Sequence, residues 1–475
     1  KLVRPAYSNL SIQTMKINLQ QTNSHSLNGN AFADVLFSDE LKFTFNAATS
    51  VYGRRYFDTG NPFYGWGIEE KGRVSVYHYR TTTLNLQQLL NYNHTFGDSH
   101  NFSALLGHEY YKYNYVLLSA SKKNMFSYWG NHELEGAVID GKNSDSYATN
   151  YNTEGYFFRG LYDYNGKYFA SASFRRDASS RFHPKHRWGN FYSLGGAYLI
   201  SNEEFFKCKA FDMLKIKFSI GQQGNDNIGD FYYTDRYGIT NNNDALSLSF
   251  SGKGKEDITW ETNTNVNLGA EFELWKGKLT GDVELFYRKT TDMLNFFTVP
   301  PSLGYDGYYD NVGDMENRGV EVDLHYTPIK RKDLVWTINL NLTHYKNKIT
   351  ALPNTANNQL ESWALDAAGR KVESSKQVVY GHTNSIYGKD NILTAVGHAA
   401  GVFYGYKTAG VFSTTAEAKT AGLKYPTGLS SQPSRDFKAG DVHFVDQNGD
   451  GWINEADRVK IGDPNPDIYG NIFTS

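Results

Sequence analysis

A twelve-residue segment late in the chain, DQNGDGWINEAD, combines the side chains and the spacing of a calcium-binding loop. Short acidic and amide side chains at alternate positions can direct several oxygens at one hard cation, and a glycine at position 6 allows the sharp turn that this requires. Gly451 occupies that position. The six candidate ligands, at loop positions 1, 3, 5, 7, 9 and 12, are Asp446, Asn448, Asp450, Trp452 through its backbone carbonyl, Asn454 and Asp457. The segment therefore predicts a structural Ca²⁺ site.

Two features of this segment leave other interpretations open. Position 12 holds Asp457, where Glu is usual, and a shorter carboxylate reaches the ion less readily in bidentate form. The affinity could then be lower, and Mg²⁺ could bind in place of Ca²⁺. Alternatively, the Asn-Gly and Asp-Gly pairs form turns at positive backbone angles that need no ion.

Other residues with catalytic potential are arranged in ways that do not favour catalysis. His108 and Glu109 are adjacent on a predicted strand, so their side chains point to opposite faces. His183 and His186 lie in a predicted loop without the carboxylate spacing of a known metal motif. The sequence has no Gly-x-Ser-x-Gly segment, phosphate-binding loop or Cys-His arrangement, and Cys208 is its one cysteine. We expect no enzymatic activity and no organic cofactor.

The composition favours a membrane barrel. Tyr, Phe and Trp make up 15% of the 475 residues, yet charged residues reach 21% and the mean hydropathy is -0.57. A transmembrane β-barrel needs two aromatic girdles but averages as polar, because its lumen-facing residues are hydrophilic. No run of about 18 apolar residues occurs, which excludes a helical span. A formal net charge of -2 provides no basic field for nucleic acid, which is excluded as a partner.

Strict alternation of apolar and polar residues is the main structural signal. In LKIKFSI, the apolar residues Leu214, Ile216, Phe218 and Ile220 share one face, and Lys215, Lys217 and Ser219 share the other. Several further segments alternate in the same way over about nine to eleven residues, the length of a transmembrane strand. The alternation assigns to lipid Leu214, Ile216, Phe218, Leu285 and Ile338. It assigns to the lumen Lys215, Glu284 and Asn339.

Connection lengths alternate as regularly as the side chains. The short connections are Ser38 to Glu40, Gly97 to His100, Asp163 to Lys167, Trp275 to Lys278 and Pro328 to Asp333, with a somewhat longer one from Ser201 to Asp212. The long ones are Gly53 to Arg73, Ala120 to Ser146, Asp177 to Arg187, Gln222 to Ile258, Thr291 to Met315 and Lys346 to about Asp467. Outer-membrane barrels have short periplasmic turns and long extracellular loops. The pattern predicts an all-β transmembrane antiparallel barrel. About 12 to 14 strands can be counted, which could close a small barrel but would leave the very large loops unexplained.

The aromatic residues fall into two groups. Those near predicted strand ends fit the membrane girdles, where amphipathic rings lie at the headgroup level; they are Trp275, Tyr287, Tyr326, Trp336 and Tyr345. Those in predicted extracellular loops could stack on a ligand, but loop packing is their commoner use; they are Trp66, Trp129, Tyr305, Tyr308 and Tyr309. No substrate-binding residue is assigned.

Several segments resemble the SusC/RagA family of TonB-dependent outer-membrane transporters. SFRRDASSRFHPKHRWGNFYSLGGAYLISNEEFF is similar to the family's RRDGSSRF, RWG and ISEE block, and LKIKFSIGQQGNDNIG and NVGDMENRGVEVDL also resemble family motifs. The late segment from GVFYGYKTAGVF to GDPNPDIYG resembles a late extracellular region of the family that leads into another strand. The resemblance covers nearly the whole chain, so residues 1–475 are expected to be part of one barrel domain.

The resemblance implies a 22-stranded barrel with a plug inside it, in the outer membrane of a Bacteroidetes-type cell envelope. It implies active import of a glycan oligomer or a peptide, with a SusD-like surface lipoprotein as a lid and TonB acting through an N-terminal region outside this chain. The last strands would also lie outside it. Residues 346–467 would form a long extracellular region, in which the Ca²⁺ loop would hold the docking surface for the lid.

Two other functions remain open at this stage. A secreted all-β adhesin or binding module would use the same alternation without a membrane. A passive porin-like barrel would keep the membrane and lack the plug.

Overall fold

The computed structural model describes residues 19–63, 65–128, 132–141, 144–242, 245–299, 301–305, 307–352, 359–365, 371–386, 389–429 and 432–475. In this part of the chain, thirteen strands pair in sequence order into one antiparallel wall. They are β1 (Leu19–Leu36), β2 (Leu41–Gly60), β3 (Arg73–Phe96), β4 (His100–Met125), β6 (Asp145–Tyr164), β7 (Tyr168–Ser179), β8 (Trp188–Leu199), β9 (Phe211–Asn225), β12 (Glu261–Leu274), β13 (Leu279–Thr291), β16 (Asp314–Arg331), β17 (Leu334–Ala351) and β27 (Ile468–Thr474). The predicted count of 12 to 14 strands is confirmed.

The remaining elements belong to the long connections. The strands are β5 (Ala137–Asp140), β10 (Arg236–Asn242), β11 (Ala245–Gly252), β14 (Leu294–Thr298), β15 (Gly307–Asn311), β18 (Gln359–Leu365), β19 (Lys371–Ile386), β20 (Lys389–Ala395), β21 (Val402–Tyr406), β22 (Thr408–Val411), β23 (Lys424–Leu429), β24 (Gln432–Asp436), β25 (Val442–Phe444) and β26 (Arg458–Gly462). One α-helix, α1 (Thr415–Ala421), and five 3-10 turns, Gly65–Ile68, Leu134–Gly136, Ile200–Asn202, Pro301–Leu303 and Glu455–Asp457, complete the described elements. Among the described residues, no helix is long and apolar enough to cross a membrane.

The register of the wall confirms the predicted faces. Phe218 pairs with Leu268, which pairs with Leu285, so apolar side chains form continuous rows across β9, β12 and β13. These three side chains are 47%, 48% and 54% exposed, which is the state expected of residues that face lipid. On the opposite face, Lys215 lies beside Glu271, with 3.3 Å between Nζ and Oε2.

The connections also alternate as predicted, but the strands are longer than predicted. They run from 12 residues in β7 to 26 in β4, leaving aside the seven-residue β27. The prediction of nine to eleven residues is wrong because pairing continues beyond the apolar band, as in the ladder of β3 and β4 up to Arg73 and Lys123. For the same reason the last long connection begins after Ala351 and not at Lys346.

One member of the predicted aromatic girdle lies on the wrong face. Tyr345 pairs with Gly319, on the face opposite to Val320 and Leu342, and its ring packs against Tyr469 at 6.1 Å between centroids. Its position near a strand end predicted the girdle. In β17, however, the even-numbered residues face lipid and the odd-numbered ones, including Tyr345, face the lumen. The other four girdle residues are all at least 37% exposed: Trp275, Tyr287, Tyr326 and Trp336.

Candidate functional site

The polar face of the wall is concave and forms the candidate functional site. A concavity of about 950 Å³ lies on it, across β7, β8, β9, β12 and β13. Its polar lining includes Ser173, Arg175, Asp177, Ser193, Asn263, Asn265 and Arg288. These positions alternate with the lipid-facing residues, so the same periodicity that places apolar side chains outside places hydroxyl, amide and charged groups here. The surface can form hydrogen bonds with a hydrated solute or with a polar protein surface.

Charged side chains line the part of this inner face that lies toward the short, periplasmic connections. Lys217 Nζ lies 3.4 Å from Glu284 Oε2 and also contacts the carboxylate of Asp282. In the register, Asp282 is directly opposite Asp323, and Glu284 is directly opposite Glu321. The lysine therefore neutralises part of an acidic strip that crosses β13 and β16.

Arg175 connects three strands in the middle of the inner face. Its Nε donates to both carboxylate oxygens of Asp177 at 2.8 Å, and its Nη2 donates to Glu109 Oε2 at 2.9 Å. The other oxygen of Glu109 accepts a hydrogen bond from Gln87 Nε2 at 3.0 Å. Arg175 also lies over the ring of Phe157, with 5.0 Å from Cζ to the centroid. Charge-assisted bonds of this kind are the stronger ones, so the guanidinium group holds β3, β4 and β7 in one arrangement.

Asp226 has a similar role at the extracellular mouth. Its Oδ2 accepts hydrogen bonds from Ser179 Oγ at 2.6 Å and from Tyr151 OH at 2.7 Å. Arg181 Nη1 donates to the Asp226 carbonyl at 3.1 Å and its guanidinium lies 4.2 Å from the Tyr151 ring centroid. Phe182, which is fully buried, packs with the loop residues Ile228 and Ile258. The β7–β8 and β9–β12 connections are therefore joined by both polar and apolar contacts.

A third connection, between β13 and β16, packs against the β9–β12 connection. Thr259 N donates to Asn311 Oδ1 at 2.7 Å, and Asn311 Nδ2 donates back to the Thr259 carbonyl at 2.8 Å. Lys255 Nζ lies 2.9 Å from Asp310 Oδ1. Three extracellular connections thus form one packed surface directly above the concavity.

Neither Arg175, Asp226 nor Asn311 was identified as a functional residue from the sequence. The available signal was their position within the quoted family-like segments, in RRD, in GNDN and at the start of NVGD. Their partners are distant in the chain, since Arg175 and Glu109 are separated by 66 residues. Local spacing therefore contained no information about the contacts.

The predicted Ca²⁺ loop is a compact turn in the extracellular region. Asp446 accepts backbone hydrogen bonds from Gly449 at 2.6 Å and from Gly451 at 2.8 Å. Asn448 Oδ1 accepts from the amide of Asp450, and Asp450 Oδ1 accepts from the amide of Trp452. Gly449 and Gly451 both have positive φ, of 72° and 79°, as the turn interpretation also requires.

Asp457 closes this loop from position 12. Its side chain is completely buried and accepts the amide hydrogens of Gln447 at 2.9 Å and of Asn454 at 2.8 Å. Burial raises the pKa of its carboxyl group, the hydrogen bonds from the Asn454 and Gln447 amides offset part of that rise, and the nearby carboxylates of Asp446 and Asp450 add to it. Burial and the neighbouring carboxylates therefore disfavour the ionised form of Asp457, and a bound cation would favour it.

The loop supplies suitable donors but does not form a closed cage. Among the described residues, no three His, Cys, Asp or Glu side chains are grouped to hold a metal. Each carboxylate oxygen can nevertheless accept an amide hydrogen and still offer a lone pair to an ion. Asn454 Oδ1 accepts from the amide of Ala456 at 2.9 Å. In this part of the structure no hydrogen bond is made to the Trp452 carbonyl, which leaves that oxygen available.

The other residues considered from the sequence have ordinary roles. His108 contacts Gln88 and Glu154 on the lipid side, and Glu109 contacts Arg175 in the lumen, which confirms that the two point apart. Tyr305 packs edge-on against Phe250, and Tyr309 against Tyr232, at 5.3 Å and 4.5 Å between ring centroids.

The remaining three loop aromatics complete the predicted group. Trp66 packs under the guanidinium of Arg73, with 5.4 Å to the ring centroid, and Tyr308 packs against Phe297 at 6.0 Å. Trp129 lies outside the described residues. Each described member thus contacts another protein side chain, as loop packing requires.

The fold and the inner face define a class of protein, the outer-membrane β-barrel with long extracellular loops. Residues 4–460 match the family described as TonB dependent receptor-like, beta-barrel, and the chain belongs to that family. Its members are receptors and transporters of the bacterial outer membrane, and the chain is a barrel component of that membrane.

Curated relatives agree with this assignment. The chain is 26% identical over 465 residues to TonB-dependent receptor P3 of Formosa agariphila, which covers 96% of this chain and 43% of that protein. It is 27% identical over 426 residues to TonB-dependent receptor SusC of Bacteroides thetaiotaomicron, covering 87% of this chain and 37% of that protein. The chain therefore spans less than half the length of these relatives.

A solved structure shows the same fold. The RagAB peptide importer in its closed-closed state superposes with a TM-score of 0.78 over 97% of this chain and 47% of the other, at 23% sequence identity. At this identity the similarity concerns the fold of the wall. It confirms the antiparallel barrel expected from the alternation.

Proposed function

We propose that the protein to which this chain belongs imports bulky nutrients, glycan oligomers or peptides, across the outer membrane. In this proposal a plug closes the 22-stranded barrel, TonB supplies the energy, and a SusD-like surface lipoprotein covers the extracellular mouth. The observation that carries the proposal is the polar inner face, with its concavity of about 950 Å³ directly below a packed group of extracellular connections. A path for a hydrated solute requires such a lining.

The exposed apolar rows favour a membrane protein over a secreted adhesin. Phe218, Leu268 and Leu285 are each about half exposed, and contiguous apolar surface of this kind is unfavourable in water. If the full-length protein stayed monodisperse in buffer without detergent, the importer proposal would be wrong.

Energy dependence separates the importer from a passive porin. We would measure uptake of labelled oligosaccharide and labelled peptide in cells with the full-length protein, with and without TonB. The importer requires that uptake of at least one of the two solutes is lost when TonB is absent. Equal uptake in both strains would indicate a passive barrel, and the identity of the accumulated solute would decide between glycan and peptide.

We also propose that the loop from Asp446 to Asp457 binds Ca²⁺ as a structural ion. The buried carboxylate of Asp457, the two further carboxylates and the available Trp452 carbonyl are the donors that a hard cation prefers. The ion would stabilise the turn and, through Ile453 in the adjacent core, the surface on which a lid could dock.

Calcium binding can be tested on the full-length protein in detergent. Limited proteolysis near residues 446–457 is compared in Ca²⁺, in Mg²⁺ and in chelator. The variant is Asp450→Asn, which removes a candidate ligand. The control is Asp463→Asn, which removes a neighbouring ion pair with Lys460. We expect protection by Ca²⁺ in the wild type and in the control, and none in Asp450→Asn. Identical cleavage in all three solutions would leave only the turn, and protection by Mg²⁺ alone would identify the other ion.

A further inference from the structure

The outer face of the wall has a basic patch at its extracellular end. Lys289 on β13, Arg318 on β16, and Lys346 and Lys348 on β17 share the face of Val320 and Leu342, two to four residues above the apolar rows. Arg318 and Lys346 are direct partners in the register. Like charges placed directly opposite each other across an antiparallel pair repel, so this arrangement costs stability unless an anion lies between them.

The protein itself neutralises only part of the patch. Lys289 Nζ lies 3.6 Å from Asp314 Oδ2, and Glu316 accepts a hydrogen bond from Tyr287 OH at 3.2 Å. Arg318, Lys346 and Lys348 are all exposed. Glu316 is the register partner of both Lys289 and Lys348, so a carboxylate lies opposite each of these two lysines. Arg318 and Lys346 are therefore the two cations with no carboxylate directly opposite them on the outer face.

The position of the patch places it at the outer headgroups. Trp336 is in the periplasmic girdle, and Lys346 follows it by ten residues on the same face of β17. Ten residues extend about 34 Å along a strand, or about 25 Å along the membrane normal at the tilt of outer-membrane barrels, which is the height of their apolar band. Tyr287, the girdle residue opposite Arg318, lies at the same level.

We propose that Arg318, Lys346 and Lys348 bind the phosphate groups of a phosphorylated lipid in the outer leaflet. The guanidinium group can hold two phosphate oxygens at once, and the two ammonium groups on the neighbouring strand β17 add positive charge beside it. The same chemistry would accept free phosphate, but a site facing lipid beside a girdle tyrosine favours a headgroup that is already held at this level. The proposal rests on the location of the barrel and is independent of what it transports.

The test uses the full-length protein, purified in detergent and stripped of lipid. Binding is measured for phosphorylated lipid A, for the same lipid A after enzymatic dephosphorylation, and for inorganic phosphate. The double variant Arg318→Gln/Lys346→Gln removes the opposed pair. Arg288→Gln is the matched control, because Arg288 is one register position away and points into the lumen.

We expect the wild type and the control to prefer phosphorylated lipid A, and the double variant to bind it about thirtyfold more weakly, from the typical contribution of two basic residues near a membrane surface. Equal binding of the phosphorylated and dephosphorylated lipids by the wild type would overturn the proposal, even if the variant failed to fold. Unchanged binding by a folded double variant would do the same. Inorganic phosphate that bound as tightly as the lipid would identify a phosphate site and contradict the lipid.

Discussion

The wall and the extracellular region from 389 to 462 place their large apolar side chains in opposite ways, on the outside in the wall and in the interior in the extracellular region. In the wall, large apolar side chains such as Leu285 are exposed and polar ones such as Lys217 face inward. In the extracellular region, Phe412 and Ile453 are buried in a small core, as in a water-soluble domain. The wall is therefore exposed to lipid and the extracellular region to water, so the same type of substitution should affect stability differently in the two regions.

The largest effect is expected from removing the centre of the extracellular core. Phe412 is 1% exposed and packs against Phe437 and His443. Phe412→Ala should destabilise this region by about 3–5 kcal/mol, through lost burial and the cavity left behind. Limited proteolysis of residues 402–462 should become rapid, while the heat-modifiable gel mobility of the barrel stays unchanged. If the variant lost both the protease resistance of this region and the heat-modifiable mobility of the barrel, the region and the wall would fold as one unit.

A charge on the lipid side should damage the wall itself. Leu285→Arg places a guanidinium among the apolar rows, at a cost of about 2–4 kcal/mol near the bilayer midplane. We expect poor insertion and loss of the heat-modifiable band. Asn265→Gln, on the lumenal concavity, is the control and should assemble normally. Equal tolerance of both changes would contradict the assigned faces.

The alternation predicted these faces because each face of the wall meets a different medium over many residues. It could not predict Arg175 or Asp226 as connecting residues, because their contacts join strands far apart in sequence. It also misplaced Tyr345, since proximity to a strand end does not determine the face. The extracellular region has its own short strands and core, for which the long connection offered no periodic signal. The Ca²⁺ loop was found by its motif, and its occupancy stays a prediction.

The junction between wall and loops should be intermediate in sensitivity. Asp226→Ala removes the acceptor of the Ser179 and Tyr151 hydroxyl groups and a partner of Arg181. Bonds to a charged group contribute about 1.5–3 kcal/mol each, so the β7–β8 connection should lose protection from hydrogen exchange. Asp230→Ala, which loses one contact of 3.6 Å to Arg181, is the control and should have little effect. Similar exchange in both variants would exclude Asp226 as the connecting residue.

The smallest effect is expected at the start of α1. Thr414 Oγ1 accepts the amide hydrogen of Glu417 at 3.1 Å, as expected of an N-cap, and the Glu417 carboxylate accepts the amide of Ser413, one residue before the cap, at 2.8 Å. Thr414→Ala should cost about 1 kcal/mol, and Thr414→Ser should keep the cap. Amide exchange at Glu417 should rise about fivefold in the alanine variant only. No difference between the two variants would show that the cap does not stabilise the helix.

The central claim, that the two faces of the wall meet lipid and lumen, is tested most directly by single cysteines at positions 214–220. Cys208 is exposed and unpaired, so it and any other cysteine of the full-length protein are first replaced by serine. Each variant, labelled with a fluorophore and reconstituted in vesicles, is quenched from the lipid phase and from water. We expect quenching from lipid at 214, 216, 218 and 220, and quenching from water at 215, 217 and 219. Uniform quenching without a period of two would contradict the assignment of the two faces.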